Sequence, residues 1–120
     1  MEQYHLCDSE YRFMQVVWSA APVGSGRLVE LCREELGWKK STTYTVLKKL
    51  CERGILKNEN SIVTVLAPQE TVTAEAAGEF VDRTFGGSLP GFLTAFMSGR
   101  TLTEAEAEEL KRLIDSHKEG

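Results

Sequence analysis

The sequence predicts a mainly α-helical chain with a small β-sheet. Apolar residues recur at helical spacings over much of the chain, and glycine or proline follows several of these stretches. One stretch, residues 55–66, is instead rich in aliphatic and β-branched residues around a polar turn, which is typical of two short strands. The length of 120 residues suits one ordinary domain or two small ones.

The N-terminal segment predicts one helix followed by a short extended piece. Asp8 or Ser9 can cap this helix, because both side chains accept hydrogen bonds from first-turn amides. Its apolar residues between Tyr11 and Trp18 form a stripe that should face the core. The helix ends near Pro22, since proline disfavours helical geometry in the residue before it. Residues 23–24 then suit an extended conformation.

A helix, a short turn and a basic helix come next. The earlier helix is predicted from a cap at Ser25 to about Leu36, where Gly37 ends it, and Gly54 ends the basic helix. The basic residues of this region are Lys39, Lys40, Lys48, Lys49, Arg53 and Lys57, and the one acid among them is Glu52. Such a concentration of positive charge in a chain of formal net charge −4 indicates a surface for a phosphate backbone. The order of elements predicts a helix-turn-helix arrangement.

The basic helix has an apolar side and a polar side. Val46, Leu47 and Leu50 form the apolar stripe. The other sides carry Thr42, Thr43, Tyr44, Thr45, Lys48 and Lys49. Hydroxyl and aromatic groups suit base edges and sugars, and lysines suit phosphates, so we expect this helix to read the major groove of DNA. The alternative is a solvated lysine face, which is the commoner meaning of a charge run.

A hairpin after the basic helix makes the predicted domain winged. Residues 55–57 and 62–66 suit strands, and residues 58–61 between them are turn material. The hairpin tip carries Glu59 and is not strongly basic, so we expect modest contact with the DNA backbone from it. We assign residues 1–68 to a winged helix-turn-helix domain.

Residues 69–120 predict a separate helical domain. Helices are expected from residue 71 or 73 to Phe85, from Leu89 to Met97, and from a capping box at residues 103–106 to about Ser116. Residues 67–120 contain five Lys or Arg and ten Asp or Glu, so repulsion from phosphates disfavours contact between this half and DNA.

The second domain carries more apolar residues than three short helices can bury. Because about fifty residues make a marginal domain alone, we predict that a second copy of the chain covers the excess. DNA-binding proteins of this type usually bind two half-sites, which also favours a dimer. The alternative is that these residues pack on the winged domain of the same chain. The predicted dimerisation residues are Phe80, Phe85, Leu89, Phe92, Leu93, Phe96, Leu110, Leu113 and Ile114.

The cysteines and histidines do not predict a metal site. Cys7, Cys32 and Cys51 are odd in number and include no CxxC pair, and His5 and His117 lie near opposite ends of the chain. We expect the second and third cysteines to be small buried hydrophobic residues, with a redox or metal role as the alternative. No cofactor or metal is expected.

The sequence gives little indication of a membrane protein, a secreted protein or an enzyme. No apolar run approaches the roughly 20 residues that a membrane helix needs. The N-terminus has neither a cationic region nor an apolar region of a signal peptide, so we expect a cytoplasmic protein. The sequence shows no Ser/His/Asp set, no glycine-rich phosphate loop before a helix and no paired metal-ligand spacing, so no enzyme is expected.

The whole pattern resembles the BlaI/MecI family, the penicillinase and methicillin-resistance repressors of bacteria. The likeness begins in residues 6–18 and continues through Gly37-Trp38 and the basic helix. It is most specific at Phe85-Gly86-Gly87-Ser88-Leu89, followed by Leu93, Phe96 and an acidic, leucine-rich last helix. The order and spacing of these pieces together carry the resemblance.

The resemblance implies a homodimeric winged-helix repressor that holds target genes off. Proteins of this family bind pseudo-palindromic operators, commonly with TACA/TGTA half-sites. By position, Lys39 and Lys40 would contact phosphates at the start of the basic helix. The residues of this helix that would contact the DNA in the major groove are Thr42, Tyr44, Thr45, Lys48 and Lys49.

The resemblance also implies a route of release. Inducible members are cut by a metalloprotease, which a membrane sensor activates. We expect loosening of the C-terminal dimer to release the operator, because one half-site then loses the effective concentration supplied by the other. The cut falls in the helix after the Gly-Gly pair, typically between Asn and Phe. The corresponding pair here is Ala95-Phe96, in which Phe matches and Ala replaces Asn. Copper-responsive relatives carry a C-terminal Cys-x-Cys, and this chain has no cysteine after Cys51.

Two other functions remain open from the sequence. A winged helix can serve as a protein-interaction module, in which the acidic half would dock a basic partner. The chain could also be a small-molecule-responsive regulator with a ligand pocket between its halves. Salt-insensitive behaviour with DNA would favour the first, and thermal stabilisation by one ligand class would favour the second.

Overall fold

The computed structural model describes residues 4–119. In chain order its elements are α1 (Asp8–Ala20), β1 (Val23–Gly24), α2 (Ser25–Leu36), α3 (Lys40–Glu52), β2 (Leu56–Glu59), β3 (Ile62–Val65), α4 (Gln69–Phe85), α5 (Leu89–Met97) and α6 (Glu104–Ser116). Six helices and one three-stranded antiparallel sheet in this part of the chain confirm the predicted class, mainly helical with a small wing.

The first helix begins differently from its prediction. Neither Asp8 nor Ser9 is its cap, because both lie inside α1 and Cys7 holds the capping position. The backbone N–H of Cys7 donates to Oε1 of Glu10 at 3.0 Å. This long carboxylate reaches back to the free amide before the helix, as in the second half of a capping box.

The second helix and the turn after it agree with the prediction. α2 ends at Leu36, and Gly37 follows with a φ of 72°, a left-handed conformation that glycine adopts without a Cβ penalty. Residues 37–39 separate α2 from α3, so the two helices form a helix-turn-helix.

The wing is a sheet in the order β1–β3–β2. The predicted turn over residues 58–61 is shorter in the structure, because β2 continues to Glu59 and only Asn60 and Ser61 connect it to β3. Both connecting residues have positive φ, 55° and 62°, as a two-residue hairpin turn with the right-handed strand twist requires. The carbonyl of the second accepts the backbone N–H of Ser25 at 2.8 Å, which ties the wing to the start of α2.

One hydrophobic core joins α1, α2, α3 and the wing. Its fully buried side chains include Phe13, Met14, Val17, Leu28, Cys32, Leu47, Leu50, Ile55, Leu56 and Val63. Val72 of α4 also lies in this core, so the first turns of α4 pack with the winged part. Trp38, in the turn before α3, stacks on Phe13 with ring centroids 5.7 Å apart and planes 4° apart.

The C-terminal helices are separated by local stop and cap signals. Gly86 and Gly87, both with positive φ, end α4, and Ser88 caps α5 by accepting the N–H of Gly91 at 2.9 Å. Thr103 and Glu106 form the predicted capping box of α6, with hydrogen bonds of 3.1 Å and 3.0 Å.

The chain divides into two compact units, one up to Phe80 and one from Val81. The boundary expected between residues 68 and 69 coincides with the start of α4, whereas the compact units divide within that helix. The placement of the functional domains at 1–68 and 69–120 stays a prediction.

Candidate nucleic-acid interface

The start of α3 is set by its first turn. Lys39 is the capping residue, and its carbonyl accepts the backbone N–H of Thr43 at 3.0 Å and the hydroxyl of the same residue at 3.2 Å. Thr43 is fully buried, in contrast to its predicted place on the polar side of the helix. Its hydroxyl can enter the core because the carbonyl one turn earlier satisfies it.

The inward side of α3 is anchored in the core. Thr43, Leu47 and Leu50 are at most 2% exposed and recur at helical spacing. Val46, predicted in the same stripe, is half-buried at its edge. Because three buried residues define one side, the side that can meet another molecule is also defined.

The outward side of α3 presents Ser41, Thr45 and Lys48, which recur at i, i+4 and i+7 and are all exposed. Glu52 continues the same line at the end of the helix. The residues predicted from the sequence do not include Ser41, although its helical spacing from Thr45 would have shown it. Thr42 is exposed on one flank of this line.

Tyr44 is directed towards α2. It is half-buried, and its hydroxyl donates to Oγ of Ser25, at the start of α2, over 3.4 Å. The ammonium of Lys40 lies 6.0 Å from the centroid of the Tyr44 ring, at the limit of a cation–π contact. Contact between Tyr44 and DNA bases stays a prediction. In the structure, the hydroxyl of this side chain already bonds to the neighbouring helix.

The basic residues near α3 divide into paired and unpaired cations. Lys49 and Arg53 contact the carboxylate of Glu10, over 3.1 Å and 3.4 Å. Nζ of Lys57 lies 3.5 Å from Oε1 of Glu59 in the wing. Within residues 4–119, the cations that make no ion pair on this side are Lys39, Lys40 and Lys48. These three are therefore the cations most available to phosphates.

Glu10 is ionised although it is buried. Burial by itself would raise the pKa of Glu10, but the backbone N–H of Cys7 and the ammonium of Lys49 together outweigh it, and the pKa is lowered. The buried carboxylate thus stabilises the folded state only while it is charged.

We expect this stabilisation to depend on pH. The pKa of Glu10 is lower in the folded chain than in the unfolded chain, so its contribution is present above the unfolded pKa and is lost as pH falls through the folded pKa. Urea unfolding of the wild type and Glu10→Gln should show a stability difference at about pH 7 that shrinks towards about pH 3. A difference that stays constant over this range would contradict the assignment.

Cys32 is a core residue, as predicted, whereas Cys51 is partly buried and packs against the core. Cys32 is fully buried and Cys51 half-buried, and burial raises the pKa of both thiols. Both are therefore protonated thiols under neutral conditions. No group of three or more Cys, His, Asp or Glu within the described residues is arranged to hold a metal ion.

The second unit has little interior of its own. None of residues 81–119 is fully buried. Of the predicted dimerisation residues, Leu89, Phe96, Leu113 and Ile114 are at least half exposed and Phe80 is 43% exposed. The remaining predicted residues, all partly buried, are Phe85, Phe92, Leu93 and Leu110.

The Ala95–Phe96 pair lies at the end of α5, and both residues are exposed. The carbonyl of Ala95 accepts the N–H of Ser98 at 3.3 Å. The guanidinium of Arg100 donates to the carbonyl of Phe96 at 3.2 Å and lies 4.2 Å from the Phe96 ring centroid. The peptide bond between the pair is therefore held in a helical turn.

A comparison of the sequence with known protein families agrees with this architecture. The family model described as the penicillinase repressor matches residues 6–116. The chain belongs to the penicillinase repressor family. This confirms the resemblance stated from the sequence and makes the chain a member of a family of transcriptional repressors, which is not a class of enzymes.

Two known proteins are similar to this member of the penicillinase repressor family over most of the length of its chain. The penicillinase repressor of Bacillus licheniformis is 20% identical over 117 residues, which cover 94% of this chain and 91% of that protein. An uncharacterised 16.5 kDa protein of Latilactobacillus sakei is 26% identical over 110 residues, which cover 88% of this chain and 75% of that protein. Among the described residues, no helix has the length and apolar character needed to cross a membrane.

Proposed function

We propose that this chain is a homodimeric repressor that binds a pseudo-palindromic DNA operator with α3 in the major groove. The observation that carries the proposal is the line of Ser41, Thr45 and Lys48, exposed on a helix whose opposite side is locked in the core. A single α-helix fits the major groove, where each base pair presents a distinct pattern of donors and acceptors.

The interface supplies the two kinds of contact that operator binding needs. The hydroxyls of Ser41, Thr42 and Thr45 can bond to base edges or phosphates. Lys39 and Lys40 stand at the N-terminal end of α3, where the partial positive charge of the helix also favours a phosphate. The lysines would supply affinity for any sequence, and the hydroxyls selectivity.

We assign dimerisation to the C-terminal helices. Large apolar side chains on α5 and α6 are half exposed, and no side chain in residues 81–119 is fully buried. A second copy would bury these side chains and so supply a core that one copy lacks. Two copies would also place two reading helices about 34 Å apart, one turn of B-DNA, which is how paired half-sites are read.

Release of the operator would follow loss of the dimer. When the two reading helices are joined, the binding of one raises the effective concentration of the other at its half-site. Cleavage between Ala95 and Phe96 by a sensor-activated protease would remove α6 and end this effect. The bond lies in the last turn of a nine-residue helix, where local unwinding requires few bonds to break.

A titration by fluorescence anisotropy tests the proposal. A labelled duplex with TACA/TGTA half-sites is compared with a scrambled duplex over a salt series. The proposal expects tighter binding to the palindrome, two chains per duplex and a steep dependence on salt. Equal and weak binding to both, and to duplexes enriched from random DNA, would contradict it.

The variant Lys48→Ala should weaken binding to both duplexes by a similar factor. If Lys48 meets one phosphate per half-site, the slope of log K against log salt becomes shallower by about 0.9 per phosphate. Folded stability should change by less than about 0.5 kcal/mol, because Lys48 is exposed and makes no ion pair within the described residues. An unchanged slope would remove Lys48 from the interface.

A further inference from the structure

Glu10 of α1 is enclosed by two cations, Lys49 of α3 and Arg53, which directly follows the helix. Its side chain is 6% exposed, Oε2 lies 3.1 Å from Nζ of Lys49, and Oε1 lies 3.4 Å from Nη1 of Arg53. Oε1 also accepts the N–H of Cys7 at the start of α1. Since Lys49 and Arg53 are four residues apart, they lie on one side of α3, and a single carboxylate can hold both.

Arg53 is bound at a further point. Its guanidinium donates to the backbone carbonyl of His5, in the segment before α1. The last turn of α3 is therefore held by both the side chain of Glu10 and the chain that leads into α1. A planar guanidinium with several donors is well suited to join two acceptors in this way.

This arrangement separates Lys48 from Lys49. One residue turns an α-helix by about 100°, so the two side chains leave α3 in different directions. Lys48 lies in line with the exposed Ser41 and Thr45, whereas Lys49 points to the carboxylate on α1. The sequence predicts the same role for the two lysines, and the structure distinguishes them.

We propose that Glu10 is a positioning residue for sequence-specific DNA binding. It holds α3 in the rotation about its own axis that presents Ser41, Thr45 and Lys48. It also withholds Lys49 and Arg53 from the phosphates of DNA. The inference rests on the proposed DNA-binding function and departs from the expectation that Lys49 contacts DNA.

This role of Glu10 would increase the selectivity of the protein for its operator over other DNA sequences. Phosphate contacts stabilise binding to every sequence, whereas base contacts distinguish one sequence from another. Pairing with Glu10 reduces what Lys49 and Arg53 contribute to binding at random sites. A fixed rotation of α3 keeps its exposed side chains in position for base contacts, which only the operator sequence can provide.

Glu10→Gln tests this inference in the full chain. The amide oxygen can still accept the N–H of Cys7, but the negative charge between Lys49 and Arg53 is gone. We expect tighter binding to the scrambled duplex, roughly tenfold at about 0.1 M salt for each cation that gains a phosphate, with a salt slope steeper by about 0.9 for each. The ratio of operator to scrambled affinity should fall at least about fivefold, because the hydroxyls of α3 are less well placed.

Two further variants separate this role from general effects. Glu34→Gln makes the same change of formal charge at an exposed position on α2, and it should leave the slope and the ratio near those of the wild type. Glu10→Gln combined with Lys49→Ala should remove the slope increment contributed by Lys49. A role of Glu10 in stability alone would not produce this reversal.

Lys49→Ala in the wild-type background decides the question even if Glu10→Gln folds poorly. The inference expects an unchanged slope with scrambled DNA, in contrast to the shallower slope of Lys48→Ala. An equal loss for both lysine variants, or a folded Glu10→Gln with wild-type slope and ratio, would overturn the role of Glu10. A wild type that binds all duplexes alike and weakly would instead overturn the proposed repressor function, and this inference with it.

Discussion

Leu113→Glu should convert the protein to a monomer and weaken operator binding by about 10²- to 10⁴-fold, the usual range for losing a linked second site. Leu113 is 54% exposed on α6, so the change should have little effect on the folding of one copy. In a dimer that buries this position, the introduced carboxylate would lose its water without gaining a partner. The expected loss therefore arises from association and not from the DNA interface.

The measurement combines sedimentation equilibrium with the anisotropy titration. Arg112→Gln is the matched control, because it makes the same change of formal charge one residue away on the polar side of α6. This control should remain dimeric with nearly unchanged operator affinity. A dimeric Leu113→Glu would exclude this face from the interface, and a monomer with full affinity would exclude the need for a dimer.

Leu47→Ala should destabilise the winged unit by about 2–5 kcal/mol. Leu47 is 2% exposed in the core, and removing its side chain loses both hydrophobic burial and the packing around the cavity left behind. Because small domains are stable by only about 5–15 kcal/mol, the loss is a large share of the total. The midpoint of thermal unfolding should fall by about 8 °C or more.

The neighbouring Lys48→Ala is the natural comparison for Leu47→Ala. One residue separates the core side of α3 from its exposed side, so one variant should lose stability and the other affinity for DNA. Urea and thermal unfolding followed by circular dichroism measure the first effect. A loss below about 1 kcal/mol for Leu47→Ala would mean that α3 is anchored less firmly than its burial indicates.

Much of the fold could be predicted because its signals are local. Helical periodicity placed the six helices of residues 4–119 to within a few residues, and Gly37, Gly54 and the capping box at 103–106 marked ends that the structure confirms. The predicted cap of α1 was wrong, since Cys7 holds the capping position and the side chain of Glu10 reaches back to its backbone N–H. The wing turn was predicted too long, because a two-residue turn with positive φ at Asn60 and Ser61 has no glycine to reveal it.

The order of the elements and the basic character of α3 could be predicted because each depends on residues that are near one another in the chain. The family resemblance could be stated because the order and spacing of its motifs are themselves properties of the sequence. The exposed side of α3 and the pairing of the nearby cations became clear from the packing of the helices. Glu10 is 43 residues from its partner Arg53, and Tyr44 is 19 residues from Ser25. Periodicity reports a side chain's angle around its own helix, but pairing between helices depends on how they pack, and charge counting along the chain cannot show it.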